Sequence, residues 1–98
     1  MVQIIWTNTA LDWLRRIHDY IAKDSPSAAQ RVVNGIYEKS LLLKSFPRLG
    51  YRFEEIDDRE VRILLYGHYQ IAYQIESDDE IRILGVFHAA MNLGEILF

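Results

Sequence analysis

The sequence predicts an α+β domain: an N-terminal strand, an antiparallel helical hairpin, then an antiparallel β-meander. Three observations predict it. Apolar residues recur at helical spacing from Ala10 to Leu43, interrupted once at Ser25-Pro26. After Gly50 the apolar period changes from helical to alternating. The alternating segments are joined by turns too short for anything but antiparallel neighbours. With helices and strands in separate blocks, the helices belong on one face of the sheet.

Met1–Trp6 carries the short apolar run Val2-Gln3-Ile4-Ile5-Trp6, which suits an opening strand. Thr7, Asn8 and Thr9 are all capping types, and Thr9 with Asp12 resembles a capping box. Ala10, Trp13, Leu14, Ile17 and Ile21 then form the buried stripe of a first helix reaching Lys23, with Arg15, Arg16 and Asp19 mainly opposite. Ser25-Pro26 restarts the chain, serine as N-cap and proline at the first helical position, where a missing N–H costs nothing. Ala29, Val32, Val33, Ile36 and Leu43 give the second helix its stripe toward Lys44. Phe46-Pro47-Arg48-Leu49-Gly50 ends it, because proline cannot continue a helix and glycine permits the turn. So short a connection between the helices makes them an antiparallel pair. Strands follow at Tyr51–Ile56, Glu60–Tyr66, Tyr69–Glu76 and Glu80–His88. Turns fall at Asp57-Asp58-Arg59, Gly67-His68 and Ser77-Asp78-Asp79.

Composition bounds the rest. The 98 residues form one domain, 1–98, half apolar and large enough for a core without staples. The absence of cysteine removes disulfides, thiolate metal sites and cysteine nucleophiles. No His/Asp/Glu spacing suits a metal and no glycine loop cradles a phosphate, so neither metal nor cofactor is expected. A net charge of −3 speaks against strong direct nucleic-acid binding by bulk charge. The charge is uneven, +3 over residues 1–49 and −6 over 50–98. A positive hairpin suits an acidic partner segment, although solvated charge is the plainer reading. With no signal peptide and no apolar run long enough to span a membrane, a cytoplasmic protein is expected.

Parity along the strands predicts two faces. The odd set, Val61, Ile63, Leu65, Tyr69, Ile71, Tyr73, Ile75, Ile81, Ile83 and Phe87, is apolar and is expected to meet the helices. The even set mixes Arg62, Leu64, Tyr66, Gln70, Ala72, Gln74, Glu76, Arg82, Leu84, Val86 and His88. That second face either accepts a partner or is covered by Met91–Phe98 folding back. Regular pairing places His88 beside Gln70, and Arg62 beside Arg82 toward the other end. A bulge at Gly85 would flip the parity after it.

The order and spacing of several segments resemble the RelE/ParE superfamily of type II toxin–antitoxin toxins, over nearly the whole chain. The resemblance rests on Trp6-Thr7 before Ala10-Leu11, Tyr20-Ile21-Ala22, and Ser25-Pro26 with Ala28-Ala29. It continues through Phe46-Pro47-Arg48-Leu49-Gly50, Val61-Arg62, Tyr69-Gln70-Ile71-Ala72-Tyr73 and Ile83-Leu84-Gly85-Val86-Phe87-His88. It implies two activities: RelE-like members cleave mRNA on the ribosome, and ParE-like members inhibit DNA gyrase. The RNase branch usually has an arginine where this chain has Gln70, and basic residues on the strand where Val61 and Ile63 are apolar. Glutamine supplies no permanent charge for a phosphorane-like transition state. The tail is similar to the ParE branch, which often ends in His, two small residues, Arg and Asp before a short amphipathic helix. Here the run is His88-Ala89-Ala90-Met91-Asn92, then Leu93, Ile96 and Leu97.

The resemblance therefore implies a ParE-like toxin inhibiting DNA gyrase and neutralised by a cognate antitoxin. The alternatives are a RelE-like mRNA endonuclease, with His88 as its general base, and a degenerate member that keeps antitoxin binding without toxicity. Target-binding candidates are Arg48, Arg52, Arg62, Gln70, Arg82, His88 and Met91. Antitoxin-binding candidates are Arg15, Arg16 and Leu97. For Arg62 the simpler reading is a packing arginine paired with Glu60 or Glu76. For Arg48 and Arg52 it is solvated charge, and for His88 a histidine bonded to backbone. Tyr69 and Tyr73 are read as core.

Overall fold

The computed structural model describes residues 2–97, of Leu97 the backbone alone; Met1, the first residue of the expected opening strand, lies outside them. The chain runs β1 (Gln3–Trp6), α1 (Asn8–Ala22), α2 (Pro26–Leu41), β2 (Tyr51–Arg52), β3 (Glu60–Tyr66), β4 (Tyr69–Ser77), β5 (Glu80–His88) and α3 (Leu93–Leu97). A 3-10 turn, Leu42–Lys44, extends α2. Thr7 caps α1: its hydroxyl accepts from the Ala10 N–H at 3.1 Å and donates to the Ile83 carbonyl at 2.9 Å. Thr9 therefore lies inside the helix, because only Thr7 can cap and also bond β5. Ser25 caps α2 by accepting from the Ala28 N–H at 3.2 Å, with Pro26 at its first turn.

The sheet order is β1-β5-β4-β3-β2. The meander β2–β5 is antiparallel, and β1 joins its edge parallel to β5. The hairpin packs on one face. Between them lie Ala10, Leu14, Ile36, Leu43, Leu64, Ile71, Tyr73, Ile81, Ile83 and Val86. Removing each large side chain here from water contributes roughly 1.5–3 kcal/mol. A second cluster, Ile63, Ala72, Phe87 and Leu93, lies on the other face with Phe53 and Ile96 packed against it. The tail thus folds back over that face, as one of the two alternatives held. Leu65, 55% exposed, remains uncovered there.

The parity expectation fails on β3. The β3–β4 turn holds two residues, so Tyr66 opposes Tyr69, Leu64 opposes Ile71 and Arg62 opposes Tyr73. Residues opposite one another across a two-residue turn have unlike parity and share a face. Arg62, Leu64 and Tyr66 therefore face the helices, and Val61, Ile63 and Leu65 face away. Gly67, at φ 55°, supplies the left-handed conformation that the turn needs.

On β5 the expected bulge is present. Tyr73 pairs with Ile83 but Ala72 with Gly85, so Leu84 is the extra residue and parity flips after it. Val86 and His88 turn to the helix face and Phe87 turns away. His88 accordingly sits opposite Tyr69, while Gln70 sits opposite Phe87 on the other face. Arg62 and Arg82 are likewise on opposite faces, since Arg82 pairs with Gln74 and Arg62 with Tyr73. The strand expected over 51–56 is only Tyr51–Arg52. One further bond, Phe53 N–H to the Val61 carbonyl, precedes a turn in which the Ile56 N–H bonds the Phe53 carbonyl. Phe53 and Ile56 both turn inward, and that spacing of three suits a turn better than an alternating strand.

Candidate functional site

The candidate residues separate into an ion-paired node and an open cleft. The node lies where the chain leaves α2 for the sheet. Arg48 donates to both Glu60 oxygens at 3.0 and 3.1 Å, and Arg62 Nε donates to Glu60 Oε2 at 2.9 Å. A second Arg62 nitrogen donates to the Gly50 carbonyl. The Tyr73 hydroxyl donates to the Pro47 carbonyl at 2.8 Å and accepts from the Gly50 N–H at 3.0 Å. Gly50 is required here, since a Cβ would stand 2.6 Å from the Ile63 carbonyl oxygen. The hydrogen bond from Arg62, with Arg48 beside it, holds the Glu60 carboxyl below its usual range despite opposing desolvation. Burial pushes the Tyr73 phenol up. Nearly every polar group in the node has its partner inside the fold.

The cleft forms because β1 pairs only with Glu80–Ile83. Beyond Ile83, β5 has no strand on that side and α1 lies alongside. Trp13 packs edge-on to Phe87 at 4.8 Å, with the planes at 73°. Above them opens a cleft of about 340 Å³, lined by Trp13, Arg16 and Tyr20 of α1, Tyr69 and His88 of the sheet, and Met91. Tyr20 is 75% exposed. The Arg16 guanidinium lies over the Trp13 ring at 5.1 Å and the Lys23 ammonium 5.9 Å from the Tyr20 ring. Among the described residues neither cation has a carboxylate partner. Such a cleft has the shape and charge to suit an apolar side chain with a carboxylate beside it.

His88 stands at its rim. Its Nδ1 accepts from the Ala90 N–H at 3.2 Å, its ring stacks over His68 at 6.3 Å, and Tyr69 meets it edge-on. The backbone bond is what the simpler reading expected. No carboxylate orients the ring among the described residues. Gln70 is 8% exposed and its Nε2 donates to the His88 carbonyl at 3.4 Å, from the far side of the sheet.

The structure thus brings Arg16, His88 and Met91 together. It separates Arg15, which pairs with Asp12 at 3.0 Å away from the cleft. Arg48 and Arg62 belong to the node. Arg52 stands opposite Arg62, and Arg82 is held by Glu80 at 2.7 Å and Glu76 at 3.5 Å. The side chain of Leu97 lies outside the described residues. Sequence reasoning missed Trp13, Tyr20 and Tyr69 as cleft residues. Arg16, expected mainly opposite the buried stripe, instead lies beside Trp13, Ile17 and Tyr20, three residues from Trp13 and four from Tyr20, and an aromatic on that stripe reads as core.

A hairpin laid on one face of a mixed sheet, with a tail helix on the other, defines a small α+β domain of the RelE/ParE superfamily. Residues 4–93 match the family described as "ParE toxin of type II toxin-antitoxin system, parDE", and the chain belongs to that family. It is 34% identical over 90 residues to "Toxin RelE2" of Caulobacter vibrioides, covering 92% of this chain and 98% of that relative. It is 37% identical over 95 residues to "Putative toxin Y4kP" of Sinorhizobium fredii, covering 97% and 96%. A solved structure described as "Chromosomal ParDE TA system from P. aeruginosa" shares the fold, with a TM-score of 0.67 at 22% identity over 90% of this chain and 96% of that one.

Proposed function

We propose that this ParE-family toxin acts in the cytoplasm by binding a protein target, DNA gyrase, and is neutralised by a cognate antitoxin. The observation that carries this reading is the cleft, an apolar and aromatic concavity with unpaired cations at its rim. An acidic, amphipathic antitoxin segment, ordering as it binds, suits that chemistry. Seated against Arg16, it also covers His88 and Met91, so neutralisation and target contact exclude one another there.

A protein target is favoured over RNA by the surroundings of His88. The one arginine that shares the cleft with His88, Arg16, lies over the Trp13 ring, and on the central strand the position beside His88 is Gln70, which points away. Arg62 and Arg48 are committed to Glu60. Cleavage of RNA needs a placed base and a cation for the developing phosphorane charge.

Induction without antitoxin, with DNA supercoiling and mRNA integrity followed in parallel, tests this. Lost supercoiling over intact mRNA is the expected result. Site-specific mRNA cuts that vanish in His88→Ala, with supercoiling intact, would replace it by the endonuclease reading. No growth defect at all would leave an antitoxin-binding member without toxicity.

A further inference from the structure

The chain leaves β5 through a turn in which successive amides are all bonded. The Ala89 N–H donates to the His68 carbonyl at 2.7 Å and the Met91 N–H to the His88 carbonyl at 3.0 Å. Between them, the Ala90 N–H donates to His88 Nδ1 at 3.2 Å. A side-chain acceptor bonded to the N–H two residues on is the way asparagine closes a turn. Asn92 does so four residues later, its Oδ1 accepting from the Gly94 N–H at 3.0 Å. Closing the turn thus needs one acceptor atom, which asparagine would supply. Histidine brings a second ring nitrogen.

The protonation of that nitrogen follows. A neutral imidazole carries one N–H and one ring lone pair. The Ala90 amide takes the lone pair of Nδ1, so the proton of the neutral ring sits on Nε2. Among the described residues nothing accepts from Nε2: the ring's other contacts are the faces and edges of His68 and Tyr69. His88 is exposed and shares the cleft with Arg16, and no carboxylate lines that cleft.

We infer that His88 meets the antitoxin as a hydrogen-bond donor through Nε2–H, and that His88 and Arg16 read one carboxylate of the segment in the cleft. This rests on the antitoxin proposed for the cleft and names the atoms that select it. A carboxylate only accepts, and its lone pairs serve an imidazole N–H and a guanidinium together. A partner that places a donor there meets two donors and is rejected. The same bond weighs against His88 as a base. Nε2 already holds its proton, and Nδ1 can take one only by giving up the Ala90 N–H.

Ring-nitrogen NMR of the histidine-labelled chain, free and bound to co-expressed antitoxin, tests the inference together with affinities of two variants. In mildly alkaline buffer, where imidazoles are neutral, His88 is expected to hold its proton on Nε2, and binding is expected to shift that nitrogen. His88→Asn keeps the acceptor for Ala90 and removes the donor. Its unfolding midpoint stays near the parent's while affinity falls about tenfold. His88→Gln places an amide N–H near the Nε2 position without closing the turn. Its midpoint drops while affinity stays within about threefold of the parent's. Adding Arg16→Gln to His88→Asn costs less than the product of the two single losses, because both touch one carboxylate. A histidine that only closes the turn reverses the ranking, with His88→Asn at parent affinity. That result, a proton on Nδ1, or independent losses in the double variant overturns the inference and leaves the antitoxin reading standing. No complex with the parent chain overturns that reading instead.

Discussion

The node and the cleft use the same side chains to opposite ends. Each has arginine beside an aromatic ring, and each joins the helical hairpin to the sheet. In the node, Arg48 and Arg62 share Glu60, and the Tyr73 hydroxyl has both a donor and an acceptor. In the cleft, Arg16 and Lys23 lie over rings with no carboxylate among the described residues, and Tyr20 stands mostly in solvent. A saturated cluster has little left to offer a partner, and its loss is felt as stability. An unsaturated one contributes little to folding and keeps its capacity for binding. Positive charge in the sequence is therefore free to meet a partner only where the fold leaves it unpaired.

The largest expected effect that would break this contrast lies in the node. Tyr73→Ala removes a fully buried ring and orphans the Gly50 N–H, so chemical denaturation is expected to show a loss of about 3–5 kcal/mol. Tyr73→Phe isolates the hydroxyl and is expected to cost about 1–3 kcal/mol. Stability within error of the parent in both would empty the node of its role.

Glu60→Gln leaves two guanidiniums with a weaker acceptor and is expected to cost about 1–3 kcal/mol at neutral pH. The same group sets a pH dependence. Its folded pKa is depressed below the ordinary 4.5, so its contribution is present above that value and is lost as pH falls through the lower folded pKa. Unfolding curves across acid pH are expected to show a shallower decline for Glu60→Gln than for the parent.

In the cleft, Arg16→Glu is expected to weaken antitoxin binding about tenfold or more, with stability changed by no more than ~0.5 kcal/mol. The smallest effect is expected at Gln70. Because it faces away from His88, Gln70→Arg places its charge on the wrong side of the sheet and is expected to give no mRNA cleavage. New cuts in that variant would mean that the two faces communicate at this end.

The elements were legible in the sequence because local chemistry decides them. Ser25-Pro26, Gly67-His68 and the helix exit at Pro47 each stand where expected. Faces were less legible. Parity carries a strand's pattern only as far as the next turn or bulge, and the two-residue turn after Tyr66 reversed Arg62, Leu64 and Tyr66 together. Arg62 paired with Glu60 as its simpler reading held, although its face was misplaced. The cleft was the least legible. It depends on β1 stopping at Trp6 beside a longer β5, a tertiary mismatch in length that no single segment reports.

The most direct measurement is antitoxin affinity, by titration calorimetry, for Arg16→Glu beside Glu60→Gln, with unfolding midpoints recorded on the same samples. Arg16→Glu is expected to lose affinity at unchanged stability, and Glu60→Gln to lose stability at unchanged affinity. The reverse pattern, with binding lost in the node variant and kept in the cleft variant, would contradict it.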